Sequence, residues 1–304
     1  MEHFLSMVTI QGTLFLYLLI GYLARKWNII REAAVDSFID FLLKIALPCM
    51  IFNSFRIELT PERMRSGLFC LIASFAVCFV SWLLGKILYR RSPFSERCIL
   101  QYATMISNAG FAGLPLVESA FGAQALFYAS IFLIPIRIFM WTAGISLFTD
   151  KSLRYKVKSV VTNPAIIAVL LGLVWMAFKL PLPPVLATAV TTIGGTTSSL
   201  SIIVVGVILA GVDWKTILNP TVFYYSAIRL LVLPGLLLVI LKGMRVSVDI
   251  IAPCVVLTGM PAGATTALLA QKYGADAKFA SQCIFVSTLL SLLTVPLLTF
   301  FIGS

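Results

Sequence analysis

The sequence is poor in charge and nearly without histidine. Only 12% of its 304 residues are Asp, Glu, Lys or Arg, about half the share found in a soluble domain. The one histidine, His3, stands at the extreme N-terminus, which excludes a histidine metal site and a Ser-His-Asp triad within the apolar body of the chain. The six cysteines (Cys49, Cys70, Cys78, Cys98, Cys254 and Cys283) sit in apolar runs and show no C-x-x-C spacing, so they read as buried thiols that pack like small hydrophobes. No Gly-x-x-x-x-Gly-Lys-Ser/Thr loop is present, and ATP therefore drives no cycle within this chain. Scattered Ser and Thr without histidine offer no nucleophile or metal cluster for a membrane-embedded enzyme. Met1-Glu2-His3 lacks the basic start of a leader and no small-x-small cleavage site follows, so the first 26 residues read as a membrane span.

What the chain has instead is apolar surface. It is 60% hydrophobic with a mean hydropathy of +1.02, more than a soluble domain of this length can hide from water. The expected class is an all-α integral membrane protein. A crossing helix needs about 20 apolar residues, and the apolar runs give ten spans, near 7–25, 33–54, 67–89, 98–119, 125–148, 163–179, 185–210, 221–241, 249–270 and 278–302. A net charge of +11 would suggest nucleic acid in a soluble protein. Here the cations flank the spans and read as topogenic signals, so the expected surroundings are lipid and not nucleic acid. Three of the 23 Lys and Arg, namely Lys44, Arg137 and Arg229, fall in the interior of spans, and with those at span ends counted to the adjoining loops 14 of the other 20 lie in odd-numbered loops. The positive-inside rule then puts those loops in the cytoplasm and both termini outside the cell (plasma) membrane.

Two halves of the chain look alike. Phe121-Gly122-Ala123-Gln124-Ala125-Leu126 is echoed by Tyr273-Gly274-Ala275-Asp276-Ala277-Lys278, and Gly113-Leu114-Pro115 in span four by Gly259-Met260-Pro261 in span nine. Five spans per half make these inverted repeats, 1–150 and 151–304, an arrangement typical of secondary transporters. Asn108, Gly110, Gly113 and Pro115 stand at mid-membrane in span four, as do Gly259, Pro261 and Gly263 in span nine, with Thr265 and Thr266 beyond. Proline breaks a helix interior, so span four is expected to unwind over 109–114 and span nine around Pro261. Unwound backbone at that depth must be buried in protein or line a cavity. Each second half-helix then offers free N–H groups and a positive dipole end to an anion.

The stretch Ser107-Asn108-Ala109-Gly110-Phe111-Ala112-Gly113-Leu114-Pro115-Leu116 resembles the fourth-helix motif of the auxin efflux carrier family. Gly259-Met260-Pro261-Ala262 resembles its ninth-helix counterpart, and so does the ending from Tyr273-Gly274-Ala275-Asp276 through Ser287-Thr288 to Pro296-Leu297. The short loop between spans five and six is similar to the bacterial branch. The resemblance implies crossing helices four and nine in a fold related to the bile-acid symporters. It also implies a scaffold of spans 1, 2, 6 and 7, a mobile domain of spans 3–5 and 8–10, homodimers and an elevator-like cycle. Its bacterial members imply malate- or malonate-like acids or auxin-like weak acids as substrates. Thr196-Thr197-Ser198-Ser199-Leu200 in span seven departs from the family, whose members often carry a proline near position 199.

The substrate site expected from all this comprises Asn108, Gly110, Pro115, Arg137, Gly259 and Pro261, with Thr197 and Ser198 on the scaffold side. A membrane-buried arginine costs roughly 2.5–3.5 kcal/mol on insertion scales, so Arg137 needs a role. Either it holds a substrate carboxylate through a bidentate fork or it pairs structurally with Glu118. Arg229 reads as structural. Asp36, Asp40 and Lys44 share one helix face. Asp40 is a neutralised partner of Lys44 or a coupling carboxylate, and Glu118, one turn past Pro115, is the better coupling residue. No cofactor or metal is expected, and coupling to H+ or Na+ stays open. The reading is a secondary carrier of small organic anions. A cation/proton antiporter would carry acids beside both crossovers, and span nine has none between Asp249 and Asp276. A sensor of the same fold is the other alternative.

Overall fold

The computed structural model describes residues 2–58, 60–178, 181–211 and 219–303; the side chain of His3 falls outside what it describes. Among these residues no strand forms, and the one β-type contact is an isolated antiparallel bridge between Ser107 and Ala262. The helices are α1 (Glu2–Lys26), α2 (Glu32–Phe41), α3 (Leu47–Ser54), α4 (Pro61–Leu88), α5 (Phe94–Met105), α6 (Leu114–Phe139), α7 (Leu153–Val161), α8 (Pro164–Phe178), α9 (Pro184–Leu209), α10 (Pro220–Ala227), α11 (Leu233–Gly243), α12 (Val248–Thr258), α13 (Thr265–Lys272) and α14 (Ala277–Gly303). Wider π-helical turns join α2 to α3 (Leu42–Ala46) and α10 to α11 (Ile228–Val232), and stand on either side of α6 (Ala109–Gly113 and Met140–Gly144).

A polar residue followed by proline starts several of these helices. Thr60 accepts from the Arg63 amide before Pro61, Asn163 from the Ala165 amide around Pro164, and Asn219 from the Thr221 amide around Pro220. The side-chain oxygen satisfies one orphan donor, and proline removes another at the first helical position.

Among the described residues five helical stretches are individually long and apolar enough to cross a bilayer: Pro61–Leu88, Ala109–Leu147, Pro184–Leu209, Pro220–Gly243 and Ala277–Gly303. α7 and α8, bent by 54° at their junction, would together make a sixth. The stretch Ala109–Leu147 runs through the gap expected between spans four and five. It is two helices that meet within that gap at Gly122, whose non-helical φ of 77° only glycine adopts freely. Its counterpart Gly274 has φ 72°.

Packing sorts the helices into two sets. α1 packs on α9, α9 on α3 and α3 on α8; α4, α5, α6, α10, α11, α12, α13 and α14 form the other set, with α6 in contact with both α4 and α12 and also reaching α3 and α9 of the first. α1 and α9 approach at backbone distance, because a Cβ on Gly21 would run into the Ile203 carbonyl and one on Gly206 into the Leu18 carbonyl. Small residues permit this closeness where lipid supplies no hydrophobic drive to associate. The cysteines are all free, and all are buried except the half-buried Cys49.

Candidate functional site

α5 stops at Met105, and α12 stops at Thr258. The two interrupted chains meet there. The Asn108 amide donates to the Pro261 carbonyl at 2.8 Å, within the bridge between Ser107 and Ala262. Ser107 Oγ donates to the Leu257 carbonyl at 3.0 Å, and the Ala262 amide donates to Ser287 Oγ at 3.1 Å. The freed backbone groups are thus paired in place, as they must be away from water.

The break differs from the expected one in position. Residues 109–113 are not unwound but form a wide π-helical turn, with the Asn108 carbonyl accepting from the amides of Ala112 and Gly113 at 3.0 and 3.2 Å. The non-helical residues are 106–108. Pro115 comes directly after this turn, within the helical run that starts at Ala109, and the wide turn takes up the hydrogen bond that its missing N–H cannot make. Pro115 therefore widens the helix and does not break it, whereas Pro261 lies in the break itself.

Two arginines flank this crossing. Arg229, in the π-helical turn Ile228–Val232, is 2% exposed. Its Nη1 donates to the Thr104 carbonyl at 2.7 Å and its Nε to the Met260 carbonyl at 3.2 Å. It ties together the terminating ends of α5 and α12, whose carbonyls carry partial negative charge. Arg137 lies on the other side, against Gly110. A Cβ at position 110 would collide with Arg137 Nη2, so only glycine leaves room for the guanidinium. Arg137 Nη1 contacts Met140 Sδ at 3.7 Å, and its Nε is buried with no hydrogen-bond partner among the described residues. The Arg137–Glu118 pair considered from sequence does not form: Glu118 accepts from Ser198 Oγ at 3.1 Å, linking α6 to α9.

The remaining expected residues are dispersed. Thr197 is buried, and its hydroxyl has no partner among the described residues. Gly259 ends α12, where its role is space, since a Cβ would stand 2.7 Å from Leu298 Cδ1. Asp40 accepts from Lys44 Nζ at 2.6 Å, and both side chains are about 60% exposed. This exposed pair lies apart from the crossing. Asn108 and Pro261 alone of the expected residues line a cavity of about 60 Å³ between α1, α9, the crossing and α14.

That cavity is walled by Leu14, Leu18, Ile202 and Val205, with Thr288 and Ser291 of α14 as its other polar lining. Neither of these two was expected from sequence, although Ser287, Thr288 and Ser291 at i, i+1 and i+4 in an apolar span signal a polar helix face. Tyr102 and Thr265 were likewise missed as a pair; the Tyr102 hydroxyl donates to Thr265 Oγ1 at 3.1 Å across the two halves. Among the described residues no group of His, Cys, Asp and Glu could hold a metal ion. Both cations at the crossing lack a carboxylate partner among the described residues.

Comparison with known proteins fits this arrangement. The family described as membrane transport protein matches residues 12–161 and again 150–299, which between them take in nearly the whole chain. The chain belongs to this family. It is the auxin efflux carrier family that the motifs in the fourth and ninth spans resemble, and the protein is a multi-pass membrane transporter. One relative, an uncharacterized transporter of Methanothermobacter thermautotrophicus, is 28% identical over 96% of this chain and 97% of its own length. Another, an uncharacterized transporter of Methanocaldococcus jannaschii, is 25% identical over 92% of this chain and 93% of its own. Both are archaeal proteins, so neither speaks for the bacterial branch that the short loop resembles.

Proposed function

We propose that this transporter is a secondary active or facilitative carrier of small organic anions, moved by elevator-type alternating access in a homodimer. The observation that carries the reading is the pair of buried guanidiniums at the crossing. A buried cation without a counter-charge is costly. Arg229 is compensated by carbonyl dipoles. Arg137 keeps an unused buried N–H beside the first turn after the break, the place where half-helix donors also point. An anion completes such a site; a cation is repelled from it.

Further support for the architecture comes from several quarters. Ten crossings in two inverted halves account for two left-handed glycines at matching positions, Gly122 and Gly274. A scaffold of spans 1, 2, 6 and 7 corresponds to the set α1, α3, α8 and α9, and the mobile domain to the other set. Crossing helices four and nine correspond to the junction at Asn108 and Pro261. Ligand pockets usually measure about 300–1,000 Å³, so a cavity of about 60 Å³ is a narrowed site that widens as the two sets slide. Its apolar walls favour a carboxylate with an apolar body, auxin-like, over a doubly charged acid. Glu118, bonded across the two sets to Ser198, is the residue proposed for coupling to H+ or Na+; Asp40 is second to it.

The test is uptake into proteoliposomes of labelled monocarboxylates and dicarboxylates, with alkali and organic cations as the contrary arm, under imposed sodium or proton gradients. Saturable uptake of a carboxylate is the expected result. Saturable cation flux without carboxylate flux would replace this reading by the antiporter. No flux from folded protein would replace it by a sensor.

A further inference from the structure

α7 differs from the other helices in what its outer face carries. It starts at Ser152, whose hydroxyl accepts from the Tyr155 amide at 3.3 Å, and it meets the apolar helix α8 at a bend of 54°. Its inner face is engaged: Lys156 Nζ donates to Ser146 Oγ at 2.6 Å, and Tyr155, Ser159 and Val160 are half-buried. The outer face is open. Leu153, Val157 and Val161, four residues apart and so on one stripe, are 74%, 51% and 60% exposed. Arg154 and Lys158 make a second exposed stripe directly beside it. With Thr162, the two stripes line an open groove of about 640 Å³. Asp150, ahead of the Ser152 cap, is the one acid near by in sequence, and none follows before Asp213, against Lys151, Arg154, Lys156 and Lys158, so the local chain carries an excess of positive charge.

In water this face would expose three large apolar side chains in a row; deep in hydrocarbon it would strand two cations. The level that suits both is the boundary between headgroups and acyl chains, where amphipathic basic helices lie. The bend away from α8 places α7 obliquely to a helix that runs into the apolar layer. We propose that α7 is an interfacial helix that binds anionic phospholipid, with an acyl chain along Leu153, Val157 and Val161 and the phosphate held between Arg154 and Lys158. Charge complementarity selects this occupant, because a neutral lipid surface satisfies the apolar stripe and leaves the cationic one unmatched. The proposal needs only that the chain is a membrane protein; it does not depend on the transported substrate.

The experiment uses the full chain, with Cys49→Ala and Val157→Cys carrying an environment-sensitive fluorophore; the five other cysteines are buried. The protein is placed in vesicles of phosphatidylcholine with or without phosphatidylglycerol, and bromine is carried on the upper acyl chain of one lipid or the other. The expected result is quenching by brominated lipid, with phosphatidylglycerol enriched at the probe above its bulk fraction. Substituting Arg154→Gln and Lys158→Gln together brings that enrichment down, roughly five-fold for each cation removed, while the protein still elutes as folded. Three results would overturn the proposal: quenching by aqueous iodide and not by lipid, shielding from both quenchers as a protein partner or second copy would give, or enrichment unchanged in the double variant.

Discussion

Asn108 and Pro261, from opposite halves of the chain, are joined by a single backbone hydrogen bond of 2.8 Å. It closes the point where two helices have both been interrupted, and the cavity opens beside it. An interruption in one helix strands donors and acceptors; an interruption in two, facing each other, lets each satisfy the other.

The close approach of Gly110 to Arg137 makes Gly110→Ala a sharp probe. The added methyl must push the guanidinium aside. Transport is expected to fall by about ten-fold or more, a one-ångström misplacement in a site being enough for that, while thermal stability measured by scanning fluorimetry in detergent changes little.

Arg229 should behave in the opposite way. Arg229→Met strips donors from the Thr104 and Met260 carbonyls, each worth about 1–3 kcal/mol when left unsatisfied, offset in part by removal of a buried charge. Unfolding in mixed micelles is expected to show a net loss of roughly 2–4 kcal/mol. Arg229→Lys, whose single ammonium lacks the guanidinium fork, should recover only part of it.

Gly122 and Gly274 face open space, so an added Cβ meets nothing and any cost is conformational. Holding alanine at a left-handed φ costs about 1–2 kcal/mol, and each Gly→Ala variant is expected to lose that much stability. Gly195, helical and equally uncrowded, should be neutral or gain slightly from the same change, by about 0.5–1 kcal/mol. Equal effects at all three would contradict this account.

The two carboxylates should separate cleanly. Asp40→Asn disturbs only an exposed i, i+4 pair, worth less than about 1 kcal/mol, and uptake under a proton or sodium gradient is expected to be unchanged. Glu118→Gln is expected to make uptake indifferent to the coupling gradient, because this carboxylate bridges the two helix sets through Ser198.

Much of the architecture was legible because it depends on periodicity and composition. The apolar runs foretold an all-helical membrane protein, and the Phe-Gly-Ala and Tyr-Gly-Ala motifs marked the two glycines that later prove to have positive φ. Pro261 was found by helix-breaking logic. The same logic overstated the effect of Pro115, because a helix can absorb the missing N–H in a wide turn such as Ala109–Gly113 without unwinding, and the sequence does not say where that helix begins. The start is set by the Asn108–Pro261 pairing, a contact between distant segments. The carbonyl clamp of Arg229 and the Thr288 and Ser291 lining were hidden for a similar reason, since they depend on which neighbour a helix faces. Glu118 was singled out by position, yet its partner Ser198 came from the other helix set and displaced the Arg137 pairing that spacing allowed.

The most direct test of the anion site is competition between carboxylates for saturable uptake in wild-type protein, Asn108→Ala and Arg137→Gln, each checked for folding in the same vesicles. The account predicts saturable uptake in the wild type, a weakened apparent affinity in Asn108→Ala, and loss of carboxylate uptake in Arg137→Gln. Undiminished carboxylate uptake in both variants would contradict it, because the crossing and its free guanidinium would then have no part in holding the anion.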